Sequence, residues 1–168
     1  APELEVALFQ YGNDSLPAEE GYIRLVAPLT NDLDLVSERL FALTTNGGSE
    51  FCGQVIQVAT RTLQWSGNPE DLKTIFIAGN EPFTQGPVDF REACKEALAK
   101  GILINTIHCG AEKVGVDTGW KDGAVLGEGQ FLAIDQNAMV AYVEAPQDEE
   151  IAKLGTQLNS TYLAFGAE

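Results

Sequence analysis

A chain of 168 residues with 45% hydrophobic and 21% charged side chains suits one domain that buries roughly two thirds of its unfolded surface, and no apolar run reaches the ~20 residues of a membrane helix. Its net charge of −15 sets up a negative field that repels phosphate backbones and anionic lipid, which argues against nucleic acid and membrane partners. Three cysteines, Cys52, Cys94 and Cys109, are too few and too far apart for a zinc knuckle or a dense disulfide scaffold, leaving one bridge plus a thiol, or three buried thiols.

Taken in order, residues 4–11 (LEVALFQY) read as a strand that breaks at Gly12-Asn13-Asp14. Residues 22–29 (YIRLVAPL) form a second strand, placed at a sheet edge because Pro28 cannot donate to a ladder. The connection between them is too short for a crossover helix, so they are expected to pair antiparallel. Thr30 is the expected cap of a helix with Asp32 and Asp34 in its first turn and Leu33, Val36, Leu40 and Leu43 as its stripe. Asn46-Gly47-Gly48-Ser49 interrupts the pattern. A second helix from about residue 50 carries Cys52, Val55, Ile56, Ala59 and Leu63 inward, which makes Cys52 a core thiol rather than a reactive one.

Residues 72–82 (LKTIFIAGNEP) are an apolar run that stops at Gly79, Asn80 and Glu81. Such a run reads as a strand buried on both faces, and in open α/β sheets ligands bind just outside the carboxyl ends of strands. Asn80 and Glu81 are therefore the first candidates for function. Residues 83–87 form a loop, read as a recognition rim or a solvated connection. A helix over 88–100 turns Phe90, Ala93, Cys94, Ala97 and Leu98 to one face, Gly101 stands where a C-cap glycine belongs, and residues 102–108 (ILINTIH) form the next strand. Strand, helix and strand make a βαβ unit with parallel strands and a right-handed crossover. A weaker helix over 117–128, a strand over 130–135, an extended stretch at 140–144, a helix from Pro146 with Ile151, Leu154 and Leu158 as its stripe, and a strand or tail at 160–165 complete the chain. Residues 1–30 lack the basic start and apolar core of an export leader, as would a mature exported chain. The whole of 1–168 reads as one domain.

His108 is the only histidine and lies at the same sheet edge as Asn80. A nucleophilic pair with Cys109 would need a hydrogen bond between side chains that leave a strand on opposite faces, so a structural histidine is expected. Asn46-Gly47-Gly48 is followed by no lysine and no G-x-G-x-x-G is present, which makes that loop a helix entry. Trp65 and Trp120 are expected to pack at helix ends, with a place on a partner surface as the other reading of Trp120 in GWKDG.

Several pieces in this order resemble a von Willebrand factor type A (VWA) domain: LEVALFQY with YIRLVAPL, the helix PLTNDLDLVSERL, the loop and helix NGGSEFCGQVIQVA, the strand IFIAGNEP, then AKGILINTIHCG and GWKDGAVLGEGQFLAID. The likeness is nearest to bacterial members that are exported or attached to the envelope. It implies a three-layer α/β sandwich, Rossmann-like, with a mostly parallel sheet and an antiparallel edge strand, a core over 3–136 and an extension over 137–168. It also implies a binding module rather than an enzyme, with an extracellular, periplasmic or cell-envelope location. Many members hold Mg²⁺, Mn²⁺ or Ca²⁺ at the carboxyl edge.

This chain departs from that metal pattern. The Asp-x-Ser-x-Ser loop is absent, Phe51 stands where a threonine is usual with Ser49 and Glu50 beside it, and Asn80 replaces an aspartate with Glu81 following. The resemblance therefore implies a degenerate metal position whose remaining ligands are Asn80 and Glu50. It further implies that the first central strand is missing, so that two strand edges face each other unpaired unless an upstream segment of a longer precursor, a fragment, or another chain fills the gap. The expected function is recognition of a protein or surface ligand near Ser49, Glu50, Asn80, Glu81 and His108. Two other readings stay open: an enzyme or nucleotide binder on a Rossmann-like sheet, and a structural subunit of an assembly.

Overall fold

The computed structural model describes residues 3–135 and, beyond them, 147, 150, 153, 154, 156 and 157. The stretches expected at 140–144 and 160–165 lie outside the described residues, as does most of the helix expected from Pro146, of which 150, 153, 154, 156 and 157 are helical. Two compact units divide the chain, Ala1–Asn137 and Ala138–Glu168. The architecture below is that of the first.

Strands β1 (Val6–Tyr11) and β2 (Ile23–Thr30) pair antiparallel, with Val6 opposite Thr30 and Tyr11 opposite Ile23. Among the described residues β2 has no second neighbour, so Pro28 does sit in an edge strand. Because β2 runs on through Thr30, the cap of α1 (Leu33–Phe41) moves two residues along. Asp32, not Thr30, accepts from Leu35 N at 2.9 Å, and the Thr30 hydroxyl accepts from Asp32 N at 3.1 Å.

Helix α2 (Cys52–Thr62) turns Cys52, Val55, Ile56 and Ala59 of the expected stripe inward, while Leu63 falls just past its end in extended backbone. It leads to β3 (Lys73–Gly79), α3 (Phe90–Ala99) and β4 (Ile102–His108). Asp89 caps α3 by accepting from Arg91 N at 2.9 Å, and Gly101, at φ +70°, takes the left-handed conformation that ends a helix without a Cβ clash. β3 and β4 are parallel in unbroken register from Lys73 opposite Ile102 to Gly79 opposite His108.

The weak helix expected over 117–128 is instead two, α4 (Glu112–Asp117) and α5 (Trp120–Leu126), divided at Gly119, whose φ of +93° no helix accommodates. β5 (Glu128–Ala133) runs parallel to β4 and starts two residues before the expected Gln130. In the sequence Glu128 reads as the end of that weak helix. In space Gly129 lies against the Ile104 carbonyl where a Cβ would collide, and Gln130 N donates to Asn105 Oδ1 at 2.9 Å.

The core joins Cys52, Val55 and Ile56 of α2, Phe90, Cys94 and Ala97 of α3, and Trp120 of α5 to Ile77, Ile102 and Ile104 of the sheet. These helices therefore cover one sheet face. Alternation along a strand sends Phe76 and Ala78 the other way, and Phe76 is 65% exposed. β3 is thus buried on one face, not on both, because none of α2, α3 and α5 reaches its second face. On β1, Phe9 and Tyr11 pack against the core, while Gln10, pointing oppositely, donates to Thr44 O at 2.9 Å in the stretch after α1.

The strands form two ladders, β1-β2 and β3-β4-β5. β1 and β3 line a common cleft without a strand between them among the described residues, the arrangement expected when the first central strand is lacking. The architecture is α/β, mostly parallel, with an antiparallel edge strand.

Candidate functional site

β3 and β4 end side by side, with Gly79 opposite His108 and Cys109 N donating to Gly79 O at 2.7 Å. The loop from α1 to α2 brings Glu50 onto this edge. Its Oε2 accepts from Asn80 N at 3.0 Å and from Glu81 N at 3.2 Å, so one carboxylate satisfies two successive amides that the end of β3 would leave open. Gln85 closes the ring: its Oε1 accepts from Glu50 N at 3.1 Å and its Nε2 donates to Glu81 Oε2 at 3.3 Å. Asn80 Nδ2 donates to Glu81 Oε1 at 3.2 Å. Glu50, Asn80 and Glu81 are therefore one hydrogen-bonded group, with Asn80 exposed, Glu50 and Glu81 half-buried, and Ser49 half-buried beside Glu50.

His108 lies beneath this group. It is 2% exposed, its ring centroid is 5.7 Å from that of Trp120, and its Nδ1 has no hydrogen-bond partner among the described residues. Trp120 is fully buried and donates Nε1–H to Glu81 O at 2.9 Å, which ties the same loop to α5. Trp65 likewise packs, donating to Ala59 O at 3.0 Å. Phe83 is wholly buried against Phe90 and Trp120, so it belongs to the core and not to a recognition rim.

Sequence reasoning missed three participants. Gln85 looked like an ordinary loop residue. Asp14 sits against the glycine loop, where a Cβ on Gly47 would meet its carboxylate; the turn after β1 was its only signal. Tyr11 donates its hydroxyl to Ala78 O at 2.7 Å and lies 3.8 Å from Cys52 Sγ. Burial, then the neighbouring Cys52 and Glu50, hold that phenol well above its ordinary range. Burial also pushes the Cys52 thiol up to about 12 and that of Cys94 to about 11. No disulfide joins the described cysteines.

Glu50 is held above its ordinary 4.5, chiefly because burial penalises its charge. The two amides oppose the rise, nearby Glu81 adds to it and His108 opposes it. The sign follows from proton linkage: the folded state binds this proton more tightly than the unfolded chain, so the group's contribution is fully present below 4.5 and is lost as pH rises through the folded value. Glu50→Gln, which keeps an acceptor oxygen, is expected to gain stability relative to the parent as pH rises from about 4 to about 8, read by urea denaturation of both proteins. A difference that stays flat or falls would contradict the raised value.

As a cation site, the residues present do not fit by themselves. Among the described residues no three His, Cys, Asp or Glu side chains gather to share an ion. The Glu50 oxygen nearest the edge is engaged by amides, and Phe51 turns its ring edge-on to Tyr22, centroids 5.7 Å apart.

No family model matches the chain, and no curated protein does. Solved structures do. BatB from Bacteroides thetaiotaomicron is 14% identical at a TM-score of 0.57, over 96% of this chain and 82% of its own. The SpRpn10 VWA domain is 16% identical at 0.58, over 98% and 75%. An aerotolerance-related membrane protein from Bacteroides fragilis is 13% identical at 0.54, over 94% and 80%. At such identities the likeness is one of fold, and it extends over nearly all of this chain. The fold of this chain is thus similar to that of a von Willebrand factor type A domain.

Proposed function

We propose that this chain is a non-enzymatic, adhesion-type binding module whose carboxyl edge recognises a protein or surface ligand through Ser49, Glu50, Asn80 and Glu81, with His108 supporting that edge from beneath. The observation that carries the reading is the Glu50 carboxylate fastened to the amides of Asn80 and Glu81. It fixes how an exposed amide and a half-buried carboxylate are presented on a rigid strand end, which is how binding groups are usually displayed. With Asp14 close by and a net charge of −15, the rim suits a partner rich in cations or hydrogen-bond donors.

The non-enzymatic part rests on reactivity. His108 is sealed from solvent and Cys52 keeps its proton at neutral pH, so neither offers a base or nucleophile to a substrate. We read the metal position as degenerate: Asn80 is a neutral ligand and Glu50 is already bonded, so Mg²⁺, Mn²⁺ or Ca²⁺ would need oxygens from elsewhere. One of the similar Bacteroides structures is described as a membrane protein, and we assign this chain to the envelope, periplasm or exterior of a bacterium.

The test places a photo-crosslinking residue at Glu81 and, as a control, at Glu70 in the turn before β3, in the presence of the host's envelope fraction. A discrete protein adduct from position 81 alone, lost with Asn80→Ala, is expected. Equal labelling from both positions, or none, would overturn the reading. Calorimetric titration with each of the three cations addresses metal separately, and a melting temperature raised by ATP or NAD would favour a nucleotide binder instead.

A further inference from the structure

We propose that a hollow at the amino end of β3 binds a phosphate group, free or carried by a small molecule, between Lys73 and Lys100. The hollow measures about 370 Å³ and is lined by these two lysines together with Thr60, Trp65 and Ser66, and by no carboxylate among the described residues. Lys73 opens β3 and Gly79 ends it, which puts roughly 20 Å of strand between the hollow and the carboxyl-edge site. The inference does not rest on the reading of that site.

The chain has 10 basic residues against 25 acidic ones, and two of the ten meet here. Lys73 folds against Gly101, the residue after Lys100, where an added Cβ would lie 3.6 Å from the Lys73 Nζ. Lys73 Nζ donates to Ser66 O at 3.3 Å, and Lys100 Nζ donates to Thr60 O at 2.9 Å. An ammonium has three N–H groups, so each lysine keeps two to give. Neither has a carboxylate partner, because the ion pairs among the described residues are Arg61 with Glu96 and Arg91 with Asp89. The acidic groups close to them in sequence are engaged: Glu96 accepts twice from Arg61, and Asp71 accepts from the Ser66 hydroxyl and from Asn68 Nδ2. Helix capping accounts for part of this arrangement. Thr60 O is one of the last carbonyls of α2, and a lysine bonded to it offsets the negative end of the helix dipole. That role uses one N–H of Lys100 and gives no reason for Lys73, which bonds a loop carbonyl. Thr60 leaves a further group over: it is 1% exposed, and its hydroxyl has no partner among the described residues.

Charge decides the class of ligand. Two ammoniums without counterions call for two negative charges, which a phosphomonoester nearly supplies at pH 7, with three terminal oxygens to accept from them. A single carboxylate brings half that charge. The net charge of −15 opposes a polyanion along its whole length. A small ion seated against the lysines escapes most of that field, since the Debye length is about 8 Å at physiological salt. Trp65 is half-buried, and its Nε1–H is fixed on Ala59 O at 3.0 Å, so its ring offers an apolar wall to whatever carries the phosphate.

Titration of the whole protein, followed by amide NMR shifts at constant ionic strength, tests this with inorganic phosphate, phenyl phosphate and succinate as probes. Inorganic phosphate is expected to move the amides of 60–67 and 100–101 saturably, with a dissociation constant on the order of 1 mM, and to leave those of 80 and 81 in place. Tighter binding of phenyl phosphate would assign the site to an ester, and equal binding to the free ion. Lys73→Gln, which leaves the capped helix end intact, should weaken binding about tenfold. Arg39→Gln on α1 should change nothing. No saturable shift by about 20 mM phosphate, shifts that survive Lys73→Gln, or equal affinity for succinate would each overturn the proposal. Cross-linking from Glu81 is expected to be unaffected by phosphate, so failure here is distinguishable from failure of the carboxyl-edge reading.

Discussion

Trp120→Ala is expected to remove about 3–5 kcal/mol of stability, a fall of about 6–20 °C in melting temperature for a chain of this size. The indole is fully buried and meets the Phe83 ring at 4.9 Å and that of His108 at 5.7 Å. Its own carbonyl accepts the Thr106 hydroxyl at 2.7 Å, so the residue is locked to β4 through the backbone as well. Truncation opens a cavity among rigid rings that have little freedom to collapse into it, which places the cost toward the upper end of the range. Trp120→Phe separates the two contributions. It retains most of the packing and drops only the bond to Glu81 O, at about 1 kcal/mol, and should loosen residues 80–85 selectively in hydrogen exchange. Chemical denaturation of both variants is the measurement, and a loss below about 1 kcal/mol for the alanine variant would show that the ring is not a core anchor.

The second large effect is expected at Gly53, the second residue of α2. A Cβ there would meet the Val88 carbonyl oxygen, with Phe90 N at 2.9 Å and Phe90 Cα at 3.0 Å. All three are backbone atoms at the start of α3, so relief requires one helix to move against the other. Helix propensity pulls the opposite way, favouring Ala over Gly by about 1 kcal/mol. Overpacking a rigid contact costs about 1–3 kcal/mol, and the steric cost should win because backbone has no rotamer to change. Gly53→Ala is thus expected to destabilise by about 1–2 kcal/mol net. Gly67→Ala, where nothing lies within 4 Å of the added carbon, should be neutral or slightly stabilising. Equal melting temperatures for the two variants would refute the close approach of α2 and α3.

The two ion pairs among the described residues decide little by comparison. Arg61 bonds Glu96 twice at 2.8 Å, joining α2 to α3, but the arginine is more than half exposed. Arg91 reaches Asp89 only at 3.6 Å, with both side chains more than half exposed. Exposed pairs of this kind contribute little, so cohesion between α2 and α3 falls to Gly53 and the buried faces around it.

What the chain's own residues determined was local. The βαβ unit from β3 to β4 followed from two short β-rich runs, a helical stripe between them, and Gly101 where the helix had to stop; these depend on neighbours a few residues apart, and the register of Lys73 to Gly79 against Ile102 to His108 bears them out. The edge placement of β2 followed from Pro28 for the same reason. Asn80 and Glu81 were legible as a strand end. What tertiary structure alone decided were contacts between distant residues: Glu50 reaching across thirty positions to the Asn80 amide, Gln85 closing that group, and His108 held against Trp120. Burial of β3 on one face only also lay beyond the sequence, since an apolar run specifies that side chains avoid water but not which helices arrive to cover them. Hydrophobic periodicity encodes the strands and helices. The closing of Glu50 on β3, and the open cleft beside it, depend on how those elements meet.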